Sequence, residues 1–174
     1  MIRLTAEPFD PGAALSAFCA DRTESGAVAS FVGMARGDAG ATTALELEAY
    51  PGFTELEIGR MVEAATQRFS LHDALVVHRH GAIAPGEPIV MVATASSHRR
   101  EAFEACDYLM DYLKSRAPFW KKEHGPAGAR NDCCCIGQPL HAVRDDLAPA
   151  LNEAVRVHDQ RVPAVQDDFV PWPE

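Results

Sequence analysis

The chain uses arginine for most of its positive charge, with 13 Arg against three Lys, and all three lysines (Lys114, Lys121 and Lys122) fall within nine residues. Arginine stays protonated in proteins, whereas a lysine whose pKa is lowered by burial or neighbouring cations becomes a base or a nucleophile. The plainer account is a solvated helix end, where cations favour the C-terminal dipole. On composition alone the two stand about even. The helix leading into the cluster adds a pattern. At about 100° per residue, Arg99, Phe103, Cys106, Met110 and Lys114 share one stripe, beside an apolar face of Ala102, Ala105, Leu109 and Leu113. A cation at each end of a sulfur-rich apolar middle suits an anionic ligand with a flat heterocyclic body. His98 and Arg99 open that helix, and helix N-termini attract phosphate; taken alone, ordinary capping and surface charge is the more common account of them. Arg36 follows a strand ending in Gly33-Met34-Ala35 and gains meaning only if it converges with Lys114 and His98.

Other chemistries find little support. No Ser-His-Asp order, phosphate-cradling glycine loop or paired catalytic carboxylates stand out, and Gly81 to Gly86 reads as a turn. The remaining His show no metal spacing. Five Cys (Cys19, Cys106 and Cys133-Cys134-Cys135) make an odd number without a C-x-x-C pair, which reads as reduced thiols in a cytoplasmic protein. The net charge of −9 argues against a general nucleic-acid binder. Of that, −5 lies in residues 131–174, which hold eight acids and three Arg, whereas His98 to Lys122 carries six Lys/Arg against four acids. A small anion therefore remains an eligible ligand there. No apolar run reaches 18 residues, and Met1 leads straight into a short strand, so a membrane span or secretory leader is not expected.

The elements that must position these residues are legible in outline. Strands are expected at Ile2 to Thr5, Gly26 to Ala35, Ala44 to Tyr50, Leu75 to Ile83, Pro88 to Ala95 and Phe119 to Glu123. The almost wholly apolar IVMVATA segment should sit centrally. Helices are expected after Asp10-Pro11, after a Thr54/Glu57 capping box, and from a Ser96 or Ser97 cap to about Arg116. The order βαββαββαβ predicts an α+β fold, a mainly antiparallel sheet with helices on one side. Residues 1–130 are expected to form one domain. Residues 131–174 form an acidic tail holding five of the twelve Pro, with one short helix marked by Leu147, Leu151 and Val155.

The segments Gly26-Ala-Val-Ala-Ser-Phe-Val-Gly33, Leu45-Glu-Leu-Glu-Ala-Tyr-Pro-Gly52, Ser97-His-Arg99, Ala102-Phe-Glu-Ala105 and above all Met110-Asp-Tyr-Leu-Lys-Ser-Arg-Ala-Pro-Phe-Trp-Lys-Lys-Glu123 resemble the large subunit of molybdopterin synthase. The resemblance runs in order over about residues 1–130. It implies an α/β hammerhead-type fold and a homodimer, each copy binding a small ubiquitin-like sulfur-carrier subunit to give a heterotetramer. It also implies conversion of cyclic pyranopterin monophosphate to molybdopterin with sulfur from the carrier's C-terminal thiocarboxylate, and no resident cofactor or metal. By position it assigns catalysis to Lys114 and Lys121. Substrate binding falls to Met34 and Ala35 through their backbone, and to Arg36, His98, Arg99, Lys122 and Glu123.

The chain departs from the family after Arg130, where Asn131-Asp132-Cys-Cys-Cys and an acidic stretch replace the usual apolar strand. A reading-frame change would produce such a departure and would leave the C-terminal part of the pocket incomplete. A non-catalytic member of the same fold, binding a ubiquitin-like partner or a pterin, is the alternative. A persulfide sulfurtransferase using Cys133 to Cys135 is disfavoured, because no cation or helix N-terminus in the local sequence would lower those thiol pKa values.

Overall fold

The computed structural model describes residues 1–37, 42–50, 52–126 and 128–133, apart from the side chains of 130–133. In chain order the elements are β1 (Ile2–Thr5), α1 (Pro11–Cys19), β2 (Ala27–Met34), β3 (Ala44–Ala49), α2 (Phe53–Arg68), β4 (Asp73–Arg79), β5 (Gly81–Ile83), β6 (Pro88–Ser96), α3 (Arg99–Ser115), β7 (Phe119–Gly125) and β8 (Gly128–Cys133). They form two four-stranded sheets, β1-β4-β6-β2 and β5-β3-β7-β8. Among the described strands only the β1–β4 pair is parallel. The fold is α+β with mainly antiparallel sheets, as the element order predicts, but there are two sheets where one is expected.

The helices also cover both faces of the first sheet. Ala74 and Val76 of β4, with Val90 and Val92 of β6, pack with Ile58, Met61, Ala102, Ala105 and Leu109 of α2 and α3. The alternating residues Leu75, Val77, Met91 and Ala93 pack with Phe18 of α1 on the other side. Near-continuous apolar strands explain this, since a strand without a polar face must be covered twice.

Three local expectations are corrected. The segment Leu75 to Ile83 is two strands in different sheets, with the chain turning a corner at Gly81 (φ +78°), a conformation glycine adopts without steric cost. Helix α2 starts at Gly52, whose N–H donates to Glu55 Oε2 at 2.6 Å. Thr54 is buried instead, accepting from Tyr50 N–H at 3.0 Å and donating to Pro118 O at 3.3 Å, so it ties α2 to the link between α3 and β7. Helix α3 is capped at His98. Strand β8 was not expected; it pairs with β7 and runs three residues past Arg130. The Leu147–Val155 helix lies outside the described residues.

His78 gives the core an acid sensitivity. Its ring stacks on Phe119 (centroids 3.8 Å apart, planes 14° apart) and its Nδ1–H donates to Arg79 O at 2.8 Å. Burial, reinforced slightly by His80, pushes its pKa from 6.5 down to about 4. The folded state therefore refuses a proton that the unfolded state accepts. Stability from this group is complete above about pH 6.5 and falls as pH drops toward 4, a loss of about 3 kcal/mol. His78→Leu should flatten the pH dependence of unfolding over that window while lowering stability at pH 7. An unchanged slope in the variant would contradict this assignment.

Candidate functional site

A cleft with about 200 Å³ of internal space is lined by Met34, Ala35, Arg36, Thr42, Leu45, Ile89, Lys121 and Glu123. One wall is the end of β2. There Gly33 pairs with Val90 but Met34 pairs with Pro88, so Ile89 is an extra residue, a bulge that places it at the cleft. Gly33 permits the approach: a Cβ there would lie 2.7 Å from Val90 Cγ1. The other wall is the β3–β7 pair, in which Leu45 faces Glu123 and Leu47 faces Lys121. Lys121 Nζ and Glu123 Oε1 form an ion pair, two residues apart on one face of β7.

The pleat sends Lys122 to the opposite face. Its Nζ lies 3.8 Å from Glu46 Oε2, and His124 Nε2 lies 2.8 Å from the same oxygen. The His124 hydrogen bond, then the Lys122 charge, holds the Glu46 carboxyl below its ordinary range. Of the nine expected site residues, the cleft thus brings together Met34, Ala35, Arg36, Lys121 and Glu123, and not Lys122.

His98, Arg99 and Lys114 are exposed and outside the cleft lining. Strands β2 and β6 are antiparallel, pairing Met34 with Pro88 and Ala27 with Ser96. His98 therefore leaves the sheet beside Ala27, about 24 Å from the Met34 end at roughly 3.4 Å per residue. Arg99 and Lys114 lie at opposite ends of α3, about 22 Å apart at 1.5 Å per residue. No small ligand spans that stripe within one chain. At the His98 corner, His72 sits between Ser25 Oγ (2.9 Å) and Ser97 Oγ (3.1 Å).

Thr42, Leu45 and Ile89 were missed as lining residues. Alternation along β3 puts Leu45 and Leu47 on one face, but no local signal shows which apolar positions border a cleft. Cys106 is buried, which pushes its thiol to about 11 and leaves it a poor nucleophile. The side chains of Cys133, Cys134 and Cys135 lie outside the described residues. Among the described residues no group of three or more His, Cys, Asp or Glu is placed to hold a metal ion. No described helix is long and apolar enough to cross a membrane.

Among the described residues, two sheets, three helices and a cleft carrying Arg36 and Lys121 define an α+β protein with a small cationic cleft. The model of the MoaE protein family matches residues 4–116. The chain belongs to that family. A molybdopterin synthase catalytic subunit from Caulobacter vibrioides is 66% identical over 130 residues, covering 75% of this chain and 87% of the relative. One from Ralstonia nicotianae is 53% identical over 166 residues, covering 91% of this chain and 94% of the relative. Among solved structures, the molybdopterin biosynthesis MoaE protein from Burkholderia ambifaria MC40-6 superimposes with a TM-score of 0.69 at 40% identity, covering 84% of this chain and 97% of that one. The fold is also that of a chain in the complex of subunits 1 and 2 of molybdopterin-converting factor from Helicobacter pylori 26695, with a TM-score of 0.68 at 18% identity, covering 82% and 97%. The Ralstonia alignment takes in about 158 of the 174 residues, and the Caulobacter alignment about 130.

Proposed function

We propose that this chain is the sulfur-transferring catalytic subunit of a molybdopterin synthase, acting on cyclic pyranopterin monophosphate with a small thiocarboxylated carrier. The observation that carries the reading is the meeting of Arg36 from the end of β2 with Lys121 of β7 in one cleft, 85 residues apart in sequence. Guanidinium and ammonium groups in a small cleft suit a phosphate monoester, because charge-assisted hydrogen bonds are the strong ones. Met34 contributes backbone groups beside Arg36, Ala35 lines the wall with its own N–H and C=O already hydrogen-bonded to Glu87 and Gly86, and Glu123 fixes Lys121. Lys114 serves as proton-transfer group or transient covalent anchor for the carrier's terminal carbonyl. Lys122 lies beside this site on the far face of β7 and acts on it only indirectly.

His98 and Arg99 complete the anion site from a second copy. The antiparallel register keeps them from Arg36 of their own chain, which supports a homodimer as the route. An apolar surface on one side suits self-association: β2 is an edge strand exposing Phe31 on the face where Ala29 meets α3, and α3 exposes Phe103. A symmetric pair joined there presents the same patch from both copies. The carrier is a ubiquitin-like protein whose C-terminal thiocarboxylate reaches the cleft, and the assembly works in the cytoplasm without a resident metal or cofactor.

Mixing the purified chain with thiocarboxylated carrier and the pterin precursor should yield dithiolene product. The variant with Cys133, Cys134 and Cys135 all changed to Ser should do the same, because the sulfur comes from the carrier. A folded chain that binds both partners without forming product would establish the non-catalytic alternative. Product lost only in the triple Ser variant would establish the persulfide one.

A further inference from the structure

The corner beneath the cleft holds a charged pair with no place in the chemistry so far. Arg79, the last residue of β4, has its side chain only 3% exposed. Its Nη1 donates to Glu87 Oε2 at 2.8 Å, its Nη2 to Ala82 O at 3.4 Å, and its Nε is buried without a partner among the described residues. The same Glu87 oxygen accepts from Ala84 N–H at 3.0 Å, so one carboxylate closes the turn at residues 84–87, where Gly86 has φ +88°. That turn grips the cleft wall. Ala35 N–H donates to Glu87 O at 2.9 Å, and Ala35 O accepts from Gly86 N–H at 2.8 Å. Pro85 also backs Gly37, where an added Cβ would lie 3.3 Å from Pro85 Cβ.

We propose that Arg79 and Glu87 form a positioning pair that sets the Met34–Arg36 wall of the anion cleft through the turn at residues 84–87. The inference rests on the reading of that cleft as the substrate site. Neither residue lines the cleft, and each acts through others: Arg79 holds Glu87, Glu87 holds the turn, and the turn holds both backbone groups of Ala35. A loop end anchored only by its own strand would let Arg36 wander by an ångström or more, and misplacement on that scale costs binding and rate well away from the substitution. The bulge at Ile89 falls within the same corner, two residues after Glu87.

The test measures KM for the phosphorylated pterin and kcat separately, using the full chain with thiocarboxylated carrier. Glu87→Ala should raise KM about tenfold, a loss comparable with one good interaction, while kcat stays within about threefold. Glu87→Gln should restore KM to within about twofold, since its amide oxygen can accept from both Arg79 and Ala84. Should Glu87→Ala fail to fold, Glu87→Asp keeps a carboxylate opposite Arg79 but is too short to hold Ala84 as well, and the same rise in KM is expected. In an Arg36→Ala background, Glu87→Ala should add nothing further. An unchanged KM, no rescue by Gln, or a full additional loss on top of Arg36→Ala overturns the positioning role. Arg36→Ala with a normal KM would instead overturn the cleft reading itself, and the two failures are separated by that single variant.

Discussion

Lys114→Ala is expected to lower turnover at least about a hundredfold, the usual loss when an acid-base group is removed, while the protein stays folded and still binds its carrier. The residue stands on the exposed last turn of α3, next to Leu113, whose side chain is buried in the core. Truncating it uncovers no core. The helix dipole contributes about 0.3–1 kcal/mol to such a cation and an exposed polar contact about 0–1 kcal/mol, together too little to unfold a domain of this size. A large fall in single-turnover product formation with an unchanged melting temperature therefore reports chemistry and not stability. Lys114→Arg sharpens the test, because it keeps the cation but offers neither a readily removed proton nor an amine nucleophile. It should be about as inactive as the alanine variant. Near-normal turnover in either one removes Lys114 from the mechanism.

Much of the scaffold was readable because it follows from periodicity. The face of α3 made by Ala102, Ala105, Leu109 and Leu113 is buried as its spacing requires, and β6 lies between β4 and β2 as an apolar run should. The Asp10 cap of α1 is present, with Oδ1 accepting from Gly12 and Ala13 N–H. The second sheet was not legible. Its edge strand β5 is split from β4 only by the turn at Gly81, and an apolar pattern reads straight through a corner made by one positive φ.

The site was legible as residue types and misread as distances. Helical spacing reports the angle around an axis and not the length along it, so Arg99 and Lys114 shared a stripe while standing at opposite ends of α3. Convergence of Arg36 and His98 within one chain would need the ends of β2 and β6 side by side. In an antiparallel pair, however, the end of one strand meets the beginning of the other, and Arg36 and His98 are driven apart. Lys121 and Lys122 look equivalent in sequence, yet a period of two puts them on opposite faces of β7. The bulge at Ile89 left no mark in the sequence at all.

The same register makes the central claim testable, since an anion site built from Arg36 of one copy and His98 and Arg99 of another must be shared between subunits. Arg36→Ala and Arg99→Ala are each expected to cut kcat/KM for the pterin severely when assayed alone with thiocarboxylated carrier. The decisive measurement is turnover after the two variants are mixed in equal amounts, dissociated and reassembled. Half of the dimers are then mixed, and each mixed dimer holds one site with both residues intact and one with neither, so about a quarter of wild-type activity should return. Recovery to that level is the expected result. A mixture no more active than the two variants apart, with subunit exchange verified by mass, would show that the site lies within a single chain or that these residues do not share it.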